Sequence, residues 1–181
     1  MPKALKYGIF LGSLGIIIGA LLGIVNYITK PIIEKTEKNK IVESLNAVNN
    51  TYTWEESEIE NVYQVGKDES GNIQMYVYKT TTNGYKSGEI EILTFIKNDL
   101  IEKVVILSAS DQTKGIGTQI ESDDYLNSFV GKSVEEYYNK DISKYNNKNS
   151  VDVISGATYS SKAVIEALIK ASNYYIDNVK G

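Results

Sequence analysis

Residues 89–107 read EIEILTFIKNDLIEKVVIL, and their pattern decides the fold class. Ile90, Ile92, Thr94 and Ile96 alternate with Glu89, Glu91, Leu93 and Phe95, Asn98 and Asp99 supply a turn, and Ile101 to Leu107 returns as an apolar run. Alternation on one side of a polar turn and a β-rich run on the other predict an antiparallel hairpin. Upstream, a turn signal at Asp68 to Asn72 precedes a second alternating run in which Ile73, Met75 and Val77 share a face. Downstream, the glycine-bearing segment Asp111 to Thr118 breaks the pattern, and short helical pieces are expected near Asp124 to Val130 and Val134 to Asn139. A Lys/Asn-rich loop then reaches Ser150. The chain closes with a helix whose buried face is marked by Val164, Ala167, Leu168, Ala171 and Tyr175, with Lys162, Glu166 and Lys170 spaced four apart outside. The reading is an α+β domain, an antiparallel sheet flanked by helices.

The N-terminal part is of another kind. From Tyr7 to Thr29 no residue is charged, and as a helix this stretch would extend roughly 35 Å, more than the roughly 30 Å hydrocarbon core of a bilayer. It exceeds the apolar region of a cleaved signal peptide and lacks a convincing small-residue cleavage site, so it reads as an uncleaved anchor. Gly8, Gly12, Gly15, Gly19 and Gly23 fall on one helix face, which suits close packing against another membrane helix. Pro31 suits the first position of a following stalk helix that runs to Asn49-Asn50. The expected divisions are a short cytoplasmic tail at 1–6, a transmembrane helix at 7–29, a juxtamembrane helix and stalk at 30–57, and an extracytoplasmic domain at 58–181. Lys3 and Lys6 favour retention of the tail in the cytoplasm.

Composition narrows the chemistry. The 181 residues include no Cys and no His, and every one of the 19 basic residues is Lys. No disulfide, thiolate nucleophile, Cys/His metal site or Ser-His-Asp triad can be built from such a chain. Three of the lysines lie in residues 1–30, which hold no acid, so 16 Lys face 23 acidic residues in the remainder. That acidic domain repels nucleic acid.

The segment most suited to chemistry is Asp152-Val153-Ile154-Ser155-Gly156-Ala157-Thr158-Tyr159-Ser160-Ser161, a small turn feeding the last helix. Backbone N–H groups at a helix start, beside the positive end of its dipole, favour a phosphate. Hydroxyls there are also ordinary helix caps, and the residues alone leave both readings open.

Asp152-Val153-Ile154-Ser155-Gly156-Ala157-Thr158 resembles the D-x-x-(S/T)-G-A-T motif of the FMN-binding domain shared by the G subunit of Rnf electron-transport complexes and the C subunit of sodium-pumping NADH:quinone reductases. The likeness extends along the chain. Asn26-Tyr27-Ile28-Thr29-Lys30-Pro31 is similar to the V-N-x-x-T-K-P run of the Rnf subunits, Gly84-Tyr85-Lys86-Ser87-Gly88-Glu89-Ile90 to G-Y-x-G-x-I, and Gln112-Thr113-Lys114-Gly115-Ile116-Gly117 to E-T-P-G-(L/I)-G. Gln112 stands where an acid is usual and Lys114 where Pro is usual.

The resemblance implies one FMN per chain, joined by a phosphoester to Thr158, with Asp152, Ser155, Gly156, Ala157, Tyr85, Thr113, Lys114, Gly115, Gly117 and Thr118 as the surrounding cofactor-binding residues. It implies no catalytic side chain and no metal on this protein, because the flavin carries the electrons. Gly115 and Gly117 are expected to bring backbone N–H groups near the ring, and Tyr85 and Tyr159 are the aromatic residues closest to the matched motifs. The implied role is a redox-active subunit of an ion-translocating ferredoxin:NAD oxidoreductase rather than a complete enzyme. Its implied partners are integral-membrane subunits and a flavin transferase that uses FAD. Two alternatives are a stand-alone flavinylated extracytoplasmic electron-transfer domain and a membrane-anchored binding or assembly module without flavin.

Overall fold

The computed structural model describes residues 2–145 and 152–181; the end of the Lys/Asn-rich loop, from 146 on, lies outside them. The chain divides into two compact units, Met1–Val42 and Glu43–Gly181.

Helix α1 is Lys3–Val48. Among the described residues it is the one helix long and apolar enough to cross a bilayer. Over residues 7–33 its large apolar side chains, including Phe10, Ile16, Leu22 and Ile28, are exposed, and a Cβ built on Gly8, Gly12, Gly15, Gly19 or Gly23 would meet nothing within 4 Å. Pro31 does not begin a second helix as the sequence suggests; it lies inside α1. A proline there lacks the N–H that would bond the carbonyl one turn earlier, at Tyr27. The Thr29 hydroxyl, in that same turn, donates to the Val25 carbonyl at 2.8 Å.

The second unit is built on five antiparallel strands in sequence order: β1 Thr53–Glu56, β2 Gln64–Lys67, β3 Ile73–Asn83, β4 Glu89–Lys97 and β5 Leu100–Ser108. The β4/β5 hairpin forms as its sequence predicts. Asn98 (φ 50°) and Asp99 (φ 64°) make the turn with positive φ at both central residues, which matches the right-handed twist of the flanking strands.

Beyond β5 the chain makes a 3-10 turn at Gly117–Glu121, the short helix α2 at Asp123–Asn127 and a second 3-10 turn at Val134–Glu136. Helix α3, Thr158–Tyr175, then packs on the face of the sheet that carries Ile90 and Ile92. Its Val164, Ala167, Leu168 and Ala171 are completely buried, as the helical spacing predicts. The Thr82 hydroxyl on β3 donates to the Ala163 carbonyl at 3.0 Å, which fixes the helix against the strand. At the far end of α3, the Tyr175 hydroxyl donates to Asp99 at 3.0 Å, and Lys180 pairs with both Asp99 and Glu135 at 2.9 Å. These contacts tie the C-terminus to the hairpin turn. The Lys180 and Tyr175 bonds hold the Asp99 carboxyl below its usual range.

Tyr125 and Phe129 are buried in the same core as α3, their rings edge to face at 5.1 Å. The short helical pieces thus close one end of the core, and two loops, 84–88 and 111–118, meet the start of α3.

Candidate functional site

The turn 152–157 is anchored at both ends before it reaches α3. Val153 enters the core and Ile154 packs against it. The Ser161 hydroxyl accepts from the Ile154 N–H at 3.1 Å, and the Ala157 N–H donates to the Ile154 carbonyl at 3.0 Å. Gly156 takes φ +86°, a conformation that L-residues with a Cβ adopt at a cost.

Asp152 forms an ion pair with Lys132 at 2.6 Å, and the same ammonium lies 5.2 Å from the Phe129 ring centroid. The Tyr125 hydroxyl donates to the Asp152 carbonyl at 2.9 Å, with the Ser161 carbonyl at 3.4 Å. Burial raises the Tyr125 hydroxyl above its ordinary pKa, outweighing the opposing Ser161 bond, and the Asp152 charge adds to the rise. Tyr137 and Tyr145 are raised chiefly by burial and then by the same carboxylate. All three phenols stay protonated at neutral pH, so Tyr125 is a permanent donor to the turn. Lys132→Met removes the counter-charge of a mostly buried Asp152 and should cost about 1 kcal/mol. Thermal melting should fall by roughly 2–4 °C, with the rest of the fold unchanged by circular dichroism.

Thr158 is the first residue of α3, and Ala157 stands at the capping position with no side-chain cap. The residues alone leave capping and phosphate binding open. In the fold, the hydroxyls of Ser160 and Ser161 are turned to other partners, Gln112 and the Ile154 N–H respectively, and Ala157 brings no capping side chain to a helix start whose dipole favours an anion.

Beside this helix start lies a cavity of about 370 Å³ lined by Tyr85, Thr113, Ile116, Gly117, Gly156, Ala157, Tyr159 and Ser160. That size falls within the range of small-molecule sites. The 84–88 turn, the 111–118 loop and the α3 start each supply part of its wall. The Tyr85 and Tyr159 rings are 5.9 Å apart at centroid and inclined by 54°. A third ring stacked between them would need about 7 Å at ordinary carbon contact distances, so a planar ligand would lie against the pair rather than inside it.

Of the residues singled out from sequence, Tyr85, Thr113, Gly117, Gly156, Ala157 and Tyr159 line the cavity. Thr158 lies in the chain between two lining residues, Ala157 and Tyr159, and is itself half-buried. Ser155 and Lys114 are exposed and, like Asp152, Gly115 and Thr118, fall outside the lining. The glycine loop differs from expectation. The Gly115 N–H donates to the Thr118 hydroxyl at 2.9 Å, and the N–H groups of Ile116, Gly117 and Thr118 all donate to the Thr113 carbonyl at 3.2, 2.8 and 3.3 Å. These amides close the loop on itself and are not presented to a ligand. Ile116 and Ser160, absent from the sequence-derived set, complete the wall; their proximity to matched residues was the available signal.

The helix start without a capping side chain at Ala157, the left-handed Gly156 and the aromatic-walled cavity are compatible with a phosphate-bearing planar ligand such as flavin mononucleotide. Residues 84–173 match the model of the FMN-binding domain family. The chain's relatives are components of larger assemblies. It is 36% identical over 115 residues to the G subunit of the ion-translocating oxidoreductase complex of Methanosarcina acetivorans, an alignment covering 62% of this chain and 57% of that protein. It is 32% identical over 114 residues to the G subunit of the Na(+)-translocating ferredoxin:NAD(+) oxidoreductase complex of Acetobacterium woodii, covering 61% and 53%. The G subunit of the ion-translocating oxidoreductase complex of Aliivibrio fischeri is 30% identical over 95 residues, covering 51% and 45%. The chain therefore spans about half the length of the curated relatives it matches.

Proposed function

We propose that this protein is the membrane-anchored electron-transfer subunit of an Rnf-type ion-translocating complex and carries one FMN in phosphoester linkage to Thr158. The observation that carries the proposal is the placement of Thr158 at the uncapped start of α3, next to the cavity walled by Tyr85 and Tyr159. Bound there, FMN would supply one- and two-electron transfer, chemistry that a chain without Cys or His does not perform by itself.

The residues divide the work. Backbone donors at the α3 start and the helix dipole stabilise the phosphate without arginine. Gly156 keeps the approach to Thr158 free of a side chain. Tyr85, Ile116 and Tyr159 offer apolar surface to the ring system, while Lys132 and Tyr125 hold the turn that aims Thr158. The chain has no His or Cys to serve as a base for the Thr158 hydroxyl, so attachment is assigned to a separate flavin transferase. In that reaction the Thr158 oxygen bonds to the FMN phosphorus of FAD, the pyrophosphate bond breaks, AMP leaves, and the hydroxyl proton passes to the transferase.

Helix α1 would serve as the anchor, its glycine face packing on an integral membrane partner, with Lys3 and Lys6 in the cytoplasm and the domain on the other side. Co-expression with a flavin transferase followed by denaturing electrophoresis should give a flavin-fluorescent band at the size of this chain. Purification in mild detergent from the native membrane should bring integral partners with it. A fluorescent band without partners would indicate the stand-alone electron carrier instead, and absence of fluorescence would overturn the flavin assignment.

A further inference from the structure

Gln112 is the buried polar centre of the site. It is 4% exposed, and from the 111–118 loop its carboxamide bonds to both of the other wall segments, the 84–88 turn and the α3 start. The side-chain oxygen accepts from the Tyr85 N–H at 3.1 Å and from the Ser160 hydroxyl at 2.8 Å, while the side-chain nitrogen donates to the Gly88 carbonyl at 3.0 Å. The three wall segments are packed tightly around it. A Cβ on Gly84 would lie 2.5 Å from its side-chain oxygen, one on Gly88 2.7 Å from its side-chain nitrogen, and one on Gly117 3.0 Å from its Cβ.

The bonding pattern requires one oxygen that accepts twice and one donor facing a carbonyl. A neutral amide meets it at every pH. A carboxyl group meets it only when protonated, because the ionised form would set an oxygen against the Gly88 carbonyl in a buried position. The charged groups on the surrounding elements are Lys86 and Glu89 at the 84–88 turn, Asp111 and Lys114 on the residue's own loop, and Lys162 in the first turn of α3; none is among the bonding partners of the carboxamide.

We propose that Gln112 is a positioning residue that holds the three walls of the cavity in register, and that its neutral carboxamide makes this hold independent of pH. The geometry stands whether or not flavin is bound, but its functional meaning rests on the flavin assignment to this cavity.

The test uses the full apo chain in detergent and reads the loops directly. Lys86 and Lys114 are exposed lysines on the two loops that Gln112 joins, so native-state trypsin cleavage at each, quantified by mass spectrometry against cleavage at Lys67 on β2, reports loop opening. For Gln112→Glu the buried acid has its pKa raised above the unfolded value, so the native hold is present at low pH and is lost as pH rises through that raised pKa. Cleavage at Lys86 and Lys114 should match wild type at the acid end of trypsin's range and become roughly tenfold faster at pH 8.5, a change equivalent to about 1.4 kcal/mol. Gln112→Met, which keeps the volume and loses the bonds, should show the faster cleavage at both ends. The wild type should show no differential pH dependence. Wild-type cleavage ratios in Gln112→Met, or a Gln112→Glu profile as flat as the wild type's, would overturn the proposal. Because no flavin is present, this outcome is separate from success or failure of the flavin assignment.

Discussion

Thr158→Val should yield a folded protein with no covalent flavin, whereas Thr158→Ser should retain a fraction of the wild-type yield. Valine conserves the shape and β-branching of threonine and removes only the hydroxyl oxygen, so the first turn of α3 keeps its conformation. The rest of that turn is fixed independently, by the Ser161 N–H to the Ala157 carbonyl at 2.9 Å and by the burial of Ser160, Ser161 and Ala163. Serine keeps the oxygen but loses the methyl that restricts its rotamers, so alignment for phosphoryl transfer is poorer. In-gel flavin fluorescence after co-expression with the transferase measures both, with the melting temperature as the control for folding. Retained fluorescence in Thr158→Val would place the linkage on another hydroxyl, with Ser155 and Ser160 as the nearest serines in sequence.

Gly88→Ala should damage the site severely by steric conflict alone. Gly88 has φ −64° and ψ 128°, ordinary angles for any residue, so the cost is steric. The added Cβ would lie 2.7 Å from the Gln112 side-chain nitrogen, 2.8 Å from Asp111 Cβ and 3.0 Å from the Asp111 carbonyl oxygen. The Gln112 end can swing away only by losing its bonds to Tyr85, Gly88 and Ser160, and the Asp111 backbone moves only with the loop that contributes Thr113, Ile116 and Gly117 to the cavity wall. Overpacking of this kind costs about 1–3 kcal/mol, and a lost buried hydrogen bond adds about 1 kcal/mol. Melting should fall by roughly 5–15 °C, and flavin yield should drop by an order of magnitude, read as flavin absorbance per protein. A wild-type yield would show that the loops relax without effect on the site.

The parts of the fold that are legible in sequence are those where local pattern and tertiary demand coincide. The β4/β5 hairpin combines alternation with a turn whose residues accept positive φ, and α3 combines a strong apolar stripe with exposed Glu166 and Lys170, which pair at 2.9 Å. Strand β1 has no such signal. Thr53-Trp54-Glu55-Glu56 is mostly exposed, and its place in the sheet comes from pairing with β2 and from the Trp54 ring, which stacks edge-on to Phe95 at 6.3 Å and crosses so close to Gly66 that a Cβ there would lie 2.8 Å away. Those are long-range contacts that no window of sequence contains.

The site divides in the same way. Thr158 and Gly156 are readable because the motif is contiguous. The role of Gln112 is not, since its partners lie 24, 27 and 48 residues away. The amides of the glycine loop turn inward, against the sequence expectation, because hydrogen bonds that close a loop on itself depend on its path, which Gly115 at φ +74° sets and composition does not announce.

Flavin attachment is tested most directly by the mass of the tryptic peptide that runs from Asn149 to Lys162, taken from protein co-expressed with a flavin transferase. A phosphoester on Thr158 makes this peptide heavier than its sequence by one FMN less one water, with fragmentation placing the increment on Thr158. A peptide of unmodified mass, or an increment on any other residue, would contradict this linkage.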